Sequence, residues 1–391
     1  MAKAKDDKES KADLRNNLAN DIANDLNKLD KDSKFAYLDR EENPSDIVGY
    51  VSTGCSLLDL AISNKPNGGI PFGRVTMFTG LESSGKSLIC AHAMANVQKM
   101  GGLAVFIDTE KAPFWEFYDA VGVDRTPGKG NWVYAPMTAI EDVFRAVEAV
   151  VTRIHNSPNP DKPVVIVVDS LAGSSTYAEL AGDYEKEGYG TEKAQVLGRA
   201  MRKILDMIAN HKVALVFTNQ LRMKLNATAF QDPWTTPGGK AVPYASSVIV
   251  RLTTMGKLTV KAKETEGEKK EAKVIGVKIQ GKVTKNRIGP PFRVAEFDIF
   301  FDRGVDNYGS WLKYLRGNDI VTGRADNLMY TDLAGNSHKF DEKTWKSFID
   351  ANPAIRDEIY QRICDTTIMA YRTTELSDSD VAVASADDGE E

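Results

Sequence analysis

Gly80-Leu-Glu-Ser-Ser-Gly-Lys-Ser87 matches the pattern G-x-x-x-x-G-K-[ST] at every fixed position. The flanking residues decide what such a run can fold into. Arg74-Val-Thr-Met-Phe-Thr79 ahead of it reads as a short buried strand, and Leu88–Gln98 behind it reads as a helix. Between a strand and a helix, the backbone N–H groups of Gly80, Leu81, Glu82, Ser83, Ser84 and Gly85 and the helix N-terminus converge on an anion. Lys86 would then reach the β- and γ-phosphates of a nucleoside triphosphate, and the Ser87 hydroxyl would ligate Mg²⁺. A glycine turn with a surface lysine is the bland alternative, and the flanking strand and helix argue against it.

At 391 residues the chain is long enough for two or three domains, one with a sizeable core. No apolar run approaches the ~20 residues of a membrane span, so no membrane partner is expected. Met-Ala-Lys-Ala-Lys-Asp-Asp-Lys at the start lacks the apolar stretch of a signal peptide. Cys55, Cys90 and Cys364 are too scattered for a disulfide frame or a zinc site, and a reducing cytoplasm is the expected location. The net charge of −5 is uneven: Glu375, Asp378, Asp380, Asp387, Asp388, Glu390 and Glu391 form a tail with no basic residue. Residues 375–391 are expected to be a disordered acidic tail, leaving a near-neutral body that can carry a basic groove.

Leu14, Leu18, Ile22, Leu26 and Leu29 recur at helical spacing, predicting an amphipathic helix over 12–29 within an N-terminal segment of residues 1–45. Such a lone helix must bury its stripe on its own domain or on a neighbouring subunit. Residues 46–310 alternate strand and helix patterns. The apolar runs 104–108, 163–169, 213–218 and 246–252 read as strands, with helices over 139–154 and 191–210 between them. Near-continuous apolar strands with helical crossovers predict an α/β core with a mostly parallel sheet covered on both faces. The charged stretch 257–273 reads as a hairpin tip, and 311–374 as a small α+β domain.

A phosphate loop needs a partner carboxylate for the metal, and Asp169 ends an apolar strand as a Walker B aspartate does. A capping aspartate is the alternative. Glu110 follows the strand ending at Asp108, at the expected rim of the sheet, where it could activate or orient water. Gln220 follows a third strand, and its amide can sense whether a γ-phosphate is present. Beyond it, Arg222, Lys224, Phe230, Trp234 and Lys240 combine cations with stacking surfaces in a long loop, the ingredients for single-stranded nucleic acid. A flexible surface loop is the competing reading.

Further motifs stand in order along the chain: Ser52-Thr-Gly-Cys-Ser-Leu-Leu-Asp-Leu-Ala61, Gly68-Gly-Ile-Pro-Phe-Gly-Arg74, Phe106-Ile-Asp-Thr-Glu110 and Thr218-Asn-Gln-Leu-Arg-Met-Lys224. Thr235-Thr-Pro-Gly-Gly239, Tyr244-Ala-Ser246 and Lys285-Asn-Arg-Ile-Gly-Pro-Pro-Phe292 complete the series. With these and the phosphate loop, the chain resembles the RecA family of homologous recombinases from about Gly49 to Gly309.

The resemblance implies a RecA-like P-loop ATPase core with ATP and Mg²⁺ as ligands. It implies that the protein forms a helical filament on single-stranded DNA and pairs it with homologous duplex DNA, alongside single-strand-binding and mediator proteins. By the same likeness, Glu110 activates water and Gln220 couples the γ-phosphate to a second DNA loop over 221–240, which includes Gly238 and Gly239. A first DNA loop falls near 178–191 and runs into a helix with Arg199 and Arg202. Lys285 and Arg287 fall on the basic pair that reaches a neighbour's ATP, and the 12–29 helix on the family's polymerisation helix. The chain also departs from the family pattern. Phe117 stands where an adenine-stacking tyrosine is expected, and Lys111–Trp115 lacks the acidic residue expected near the base. These departures suit a diverged branch, a viral one included. A ring-forming helicase and a non-catalytic recombination mediator are the alternative readings of the same core.

Overall fold

The computed structural model describes residues 18–29, 46–129, 131–182, 189–209, 211–224, 233–260 and 273–369. Its largest sheet has nine strands: β1 (Val75–Gly80), β2 (Leu103–Asp108), β3 (Trp132–Pro136), β4 (Val164–Asp169), β5 (Val213–Gln220), β6 (Val248–Val260), β7 (Lys273–Asn286), β8 (Val294–Phe300) and β9 (Gly304–Val305). Their spatial order is β9-β8-β7-β6-β1-β5-β4-β2-β3. Neighbours from β6 to β3 run parallel, and β6 to β9 pair antiparallel. The α/β core with a mostly parallel sheet is therefore as expected.

The composition of the central strands explains this architecture. Val164–Val168 is fully buried, and its side chains alternate between two cores. Val165 and Val167 join one apolar cluster, which includes α1 (Lys86–Lys99). Val164, Ile166 and Val168 join the other, lined by Val143, Val147 and Val151 of α2 (Ile140–His155) and by Leu197, Met201 and Ile204 of α3 (Tyr189–Ile208). Only a strand apolar on both sides can sit between two helical layers, so this run could not be a surface strand.

Several elements differ from expectation. The β6 strand continues to Val260 because pairing with β7 carries it past the buried part of the sheet; exposure rises from Thr253 onward. Of the hairpin tip expected over 257–273, residues 257–260 belong to β6 and 273 to β7, and 261–272 lie outside the described residues. The β3 strand has no clear alternation, being half exposed at the sheet edge, and periodicity does not reveal it. In the N-terminal segment, residues 18–27 are helical, and Leu18, Ile22, Leu26 and Leu29 are all exposed. Residues 1–17 and the acidic tail lie outside the description.

After the core come helices Asn307–Gly317, Trp345–Ala351 and Pro353–Thr367 and a three-stranded antiparallel sheet of Val321–Arg324, Asn327–Thr331 and Ser337–Phe340. Trp311, Leu315, Tyr330, Trp345 and Ile363 belong to the same apolar cluster as α1, so this α+β region shares a core with the sheet. Among the described residues no helix is long and apolar enough to cross a membrane, and all three cysteines are free and buried.

One glycine sits at a close backbone approach beside the small antiparallel ribbon of Tyr50–Val51 and Ile70–Pro71 that precedes β1. Gly69 sits at φ +130°, and a Cβ there would lie 2.4 Å from the Val51 carbonyl oxygen. Both the left-handed backbone and the backbone contact penalise a side chain. Gly69→Ala is therefore expected to destabilise the protein by roughly 1–3 kcal/mol, read as a lowered urea midpoint with an unchanged denaturant slope.

Candidate nucleotide site and nucleic-acid surface

Parallel register brings the candidate residues to one rim. Gly80, where β1 enters the phosphate loop, lies opposite Gln220 of β5, and Asp108 of β2 lies opposite Asp169 of β4. Ser83 and Gly85 adopt left-handed backbone angles, φ 58° and 84°, which curl the loop before α1 begins at Lys86. A loop curled this way into a helix N-terminus has the backbone form that turns N–H groups toward an anion.

Lys86 is buried there. Its ammonium donates to the carbonyls of Leu81 at 2.7 Å and Gly80 at 3.2 Å and to Ser84 Oγ at 3.3 Å. Burial lowers its pKa, and the nearby Asp169 and Glu110 carboxylates oppose that shift. An ammonium held by neutral carbonyls gains from exchanging them for phosphate oxygens.

Asp169 has the opposite problem. Desolvation raises its pKa, while hydrogen bonds from Ser87 and Thr218 pull it down. Thr218 Oγ1 donates to Asp169 Oδ1. A partly desolvated carboxylate joined to a hydroxyl is a hard-oxygen pair that suits a small divalent cation, so the residues fit Mg²⁺. Thr218 opens the Thr218–Lys224 motif, yet no signal in the sequence singles it out as the group that orients Asp169.

Glu110 is exposed just beyond β2. Asp108 shapes its turn: Oδ1 accepts the N–H groups of Glu110 at 3.0 Å and Lys111 at 2.7 Å, and Oδ2 accepts the Tyr134 hydroxyl at 2.9 Å. Gln220 is half-buried, and the next residue, Leu221, donates its N–H to the Gly80 carbonyl at 3.1 Å. Arg222–Met223 then pairs antiparallel with Trp234–Thr235, so a short ribbon rises directly from the phosphate-loop rim. Arg222, Lys224 and Lys240 are exposed; Phe230 lies outside the described residues.

The Gly238-Gly239 turn, at φ 87° and 72°, closes on α3, with Leu197 Cδ1 2.8 Å and Ala194 Cβ 3.1 Å from where Cβ atoms would sit. Because α3 carries Arg199 and Arg202, both exposed, the two stretches expected to meet DNA are packed together. The first stretch opens with a short helix, Tyr177–Ala181, under a Thr176–Glu179 capping box; residues 183–188 lie outside the description.

One expected residue is contradicted. Phe117 is fully buried, in edge contact with His92 at 6.2 Å between ring centroids. The helix Trp115–Ala120 turns that position into the core, so it offers no face to a base. Phe114, just ahead of the helix, is 52% exposed instead.

Lys285 and Arg287 are not at this rim. Lys285 pairs with Ile249, which lies opposite Met77 of β1, and the Arg287 N–H bonds the Ser247 carbonyl. Met77 and Gly80 are three strand positions apart, so the pair lies roughly 10 Å or more along the sheet from its own phosphate loop. The Lys285 ammonium donates to the carbonyls of Pro243 at 2.7 Å and Tyr244 at 3.0 Å, and burial, then Arg287, lowers its pKa.

A parallel α/β sheet with a phosphate loop, a strand-end aspartate and a rim glutamate defines the class of P-loop ATPases. The model of the RecA N-terminal domain matches residues 20–306. RecA proteins of Crocosphaera subtropica, Symbiobacterium thermophilum and Campylobacter jejuni subsp. doylei are 33%, 33% and 34% identical to the chain. The matches cover 85%, 85% and 83% of this chain and 87%, 89% and 86% of those proteins. The chain belongs to the RecA family, and it is a DNA-dependent ATPase and recombinase.

Lys86→Ala removes the ammonium at the phosphate loop, a charged hydrogen-bond donor worth about 1.5–3 kcal/mol. It is expected to weaken binding of a fluorescent ATP analogue by roughly 10- to 100-fold, with the fold retained by circular dichroism.

Proposed function

We propose that this recombinase assembles as a helical filament on single-stranded DNA, takes ATP and Mg²⁺ between successive subunits, and pairs the bound strand with homologous duplex DNA. The separation between the two halves of the site supports this reading most. Lys285 and Arg287 lie too far along the sheet to serve their own phosphate loop, so their natural target is a neighbour's. The exposed stripe of Leu18, Ile22 and Leu26 supports it independently, since an apolar helix face needs a partner surface.

In this reading the loop amides and Lys86 bind the phosphates, and Ser87 and Asp169 would hold Mg²⁺, which would supply charge neutralisation to the phosphates. Glu110 takes or orients a proton of the attacking water. The partner's basic pair stabilises charge on the transferring phosphoryl group in the manner of an arginine finger, worth ~10³–10⁵ in rate where measured in other P-loop enzymes. Gln220 links phosphate occupancy to the ribbon carrying Arg222 and Lys224. Together with Lys240, Arg199 and Arg202, these cations bind the DNA backbone, so affinity should fall with added salt as counterions compete. A ring-forming motor would instead give closed rings on DNA by electron microscopy.

Mixing experiments test the trans arrangement. Glu110→Gln should bind ATP yet lose DNA-stimulated turnover by roughly 10²-fold or more. The double variant Lys285→Ala/Arg287→Ala should lose turnover as well. Mixed, the two inactive proteins should regain part of the activity, because an intact site then meets an intact donor pair. No recovery, with mixed filaments seen by microscopy, would refute donation between subunits.

A further inference from the structure

Ser170 follows Asp169 at the end of β4 and is buried, whereas Glu110 beside it faces solvent. Its Oγ accepts the Gly173 N–H at 3.2 Å, which leaves the hydroxyl proton free to be donated, and that proton goes to Glu110 Oε1 at 2.6 Å. The Ser170 backbone is pinned in turn by Thr109, whose Oγ1 accepts the Ser170 N–H at 2.9 Å and donates to the Ser170 carbonyl at 2.6 Å. A Cβ on Gly173 would lie 3.0 Å from Glu110 Cγ, so the 170–173 turn is closed against the glutamate stem.

An exposed glutamate has three rotatable side-chain torsions and no reason to prefer the one a reaction needs. A hydrogen bond to an ionised carboxylate is short and strong enough to choose among them. Holding one oxygen also leaves the other as the oxygen that meets water.

We propose that Ser170 is the positioning residue for Glu110: its buried hydroxyl holds Oε1 so that Oε2 is presented to the attacking water. This rests on Glu110 being the activating group. The same turn continues to Ser174, whose carbonyl accepts the ammonium of Lys193 on α3. The glutamate is thereby tied to the helix that carries Arg199 and Arg202.

DNA-stimulated ATP hydrolysis of the full chain tests the assignment. Ser170→Ala removes the donor, and Ser170→Cys keeps most of the volume while replacing it with a weak donor. Both should lower kcat about tenfold, equivalent to ~1.4 kcal/mol of barrier, with KM for ATP unchanged. Wild-type kcat in either variant, or a raised KM with kcat intact, would overturn the role. Glu110→Gln, run alongside, separates the two possible failures. Turnover lost there but kept in both Ser170 variants sinks the Ser170 assignment alone. Turnover kept in Glu110→Gln removes Glu110 as the activating group, and the role of Ser170 with it.

Discussion

The parallel pairing of β1, β5, β4 and β2 is the constraint on which the rest of the site depends. Each of these strands is buried on both faces, so its register cannot slip without exposing apolar side chains or burying polar ones. With the register locked, the strands end at one level, and whatever follows each strand is delivered to the same rim. Gly80, Gln220, Asp169 and Glu110 are far apart in the chain, and only this pairing brings them together. The hydrogen bond from Thr218 to Asp169 shows the same economy, joining β5 to β4 at the carboxylate proposed to hold the metal.

Electrostatically, the rim is arranged for a ligand bearing negative charge and a cation together. Lys86 is desolvated and held by carbonyls, Asp169 is desolvated and held by hydroxyls, and each lies within the other's field. A polyphosphate with its metal would satisfy both with full charges. The elements proposed to face DNA are attached with little slack. The Arg222–Met223 ribbon starts directly after Gln220 and Leu221, and the Gly238-Gly239 turn rests on α3. A change at the phosphate rim therefore has a short, packed route to the basic surface, and a route in the reverse direction through Ser174 and Lys193.

Much of this was legible in the residues because the signals are local. The phosphate loop is a fixed pattern, and the buried strands are unbroken β-branched runs whose ends mark the rim. The helices over 139–154 and 191–210 show in their periodicity and fall within two residues of α2 and α3 at each end. The misses are instructive for the same reason. The β3 strand is a half-exposed edge without alternation, and the ladder with β7, not side-chain burial, sets the length of β6. The family resemblance sets Phe117 against a base, but which way a residue faces on a one-and-a-half-turn helix depends on what that helix packs against. Here the packing partner is the core around His92.

The order of residues alone determined that the chain has a phosphate loop between strand and helix, a sheet buried on both faces, and a set of polar groups following its strands. These follow from backbone preference and hydrophobic period, which act over a few residues. Tertiary structure alone decided that Thr218 and Ser170 hold Asp169 and Glu110, that Phe117 is core, and that Lys285 and Arg287 lie along the sheet from their own phosphate loop. Each of those depends on contacts between segments tens to hundreds of residues apart, and such distances become fixed only when the strands pair.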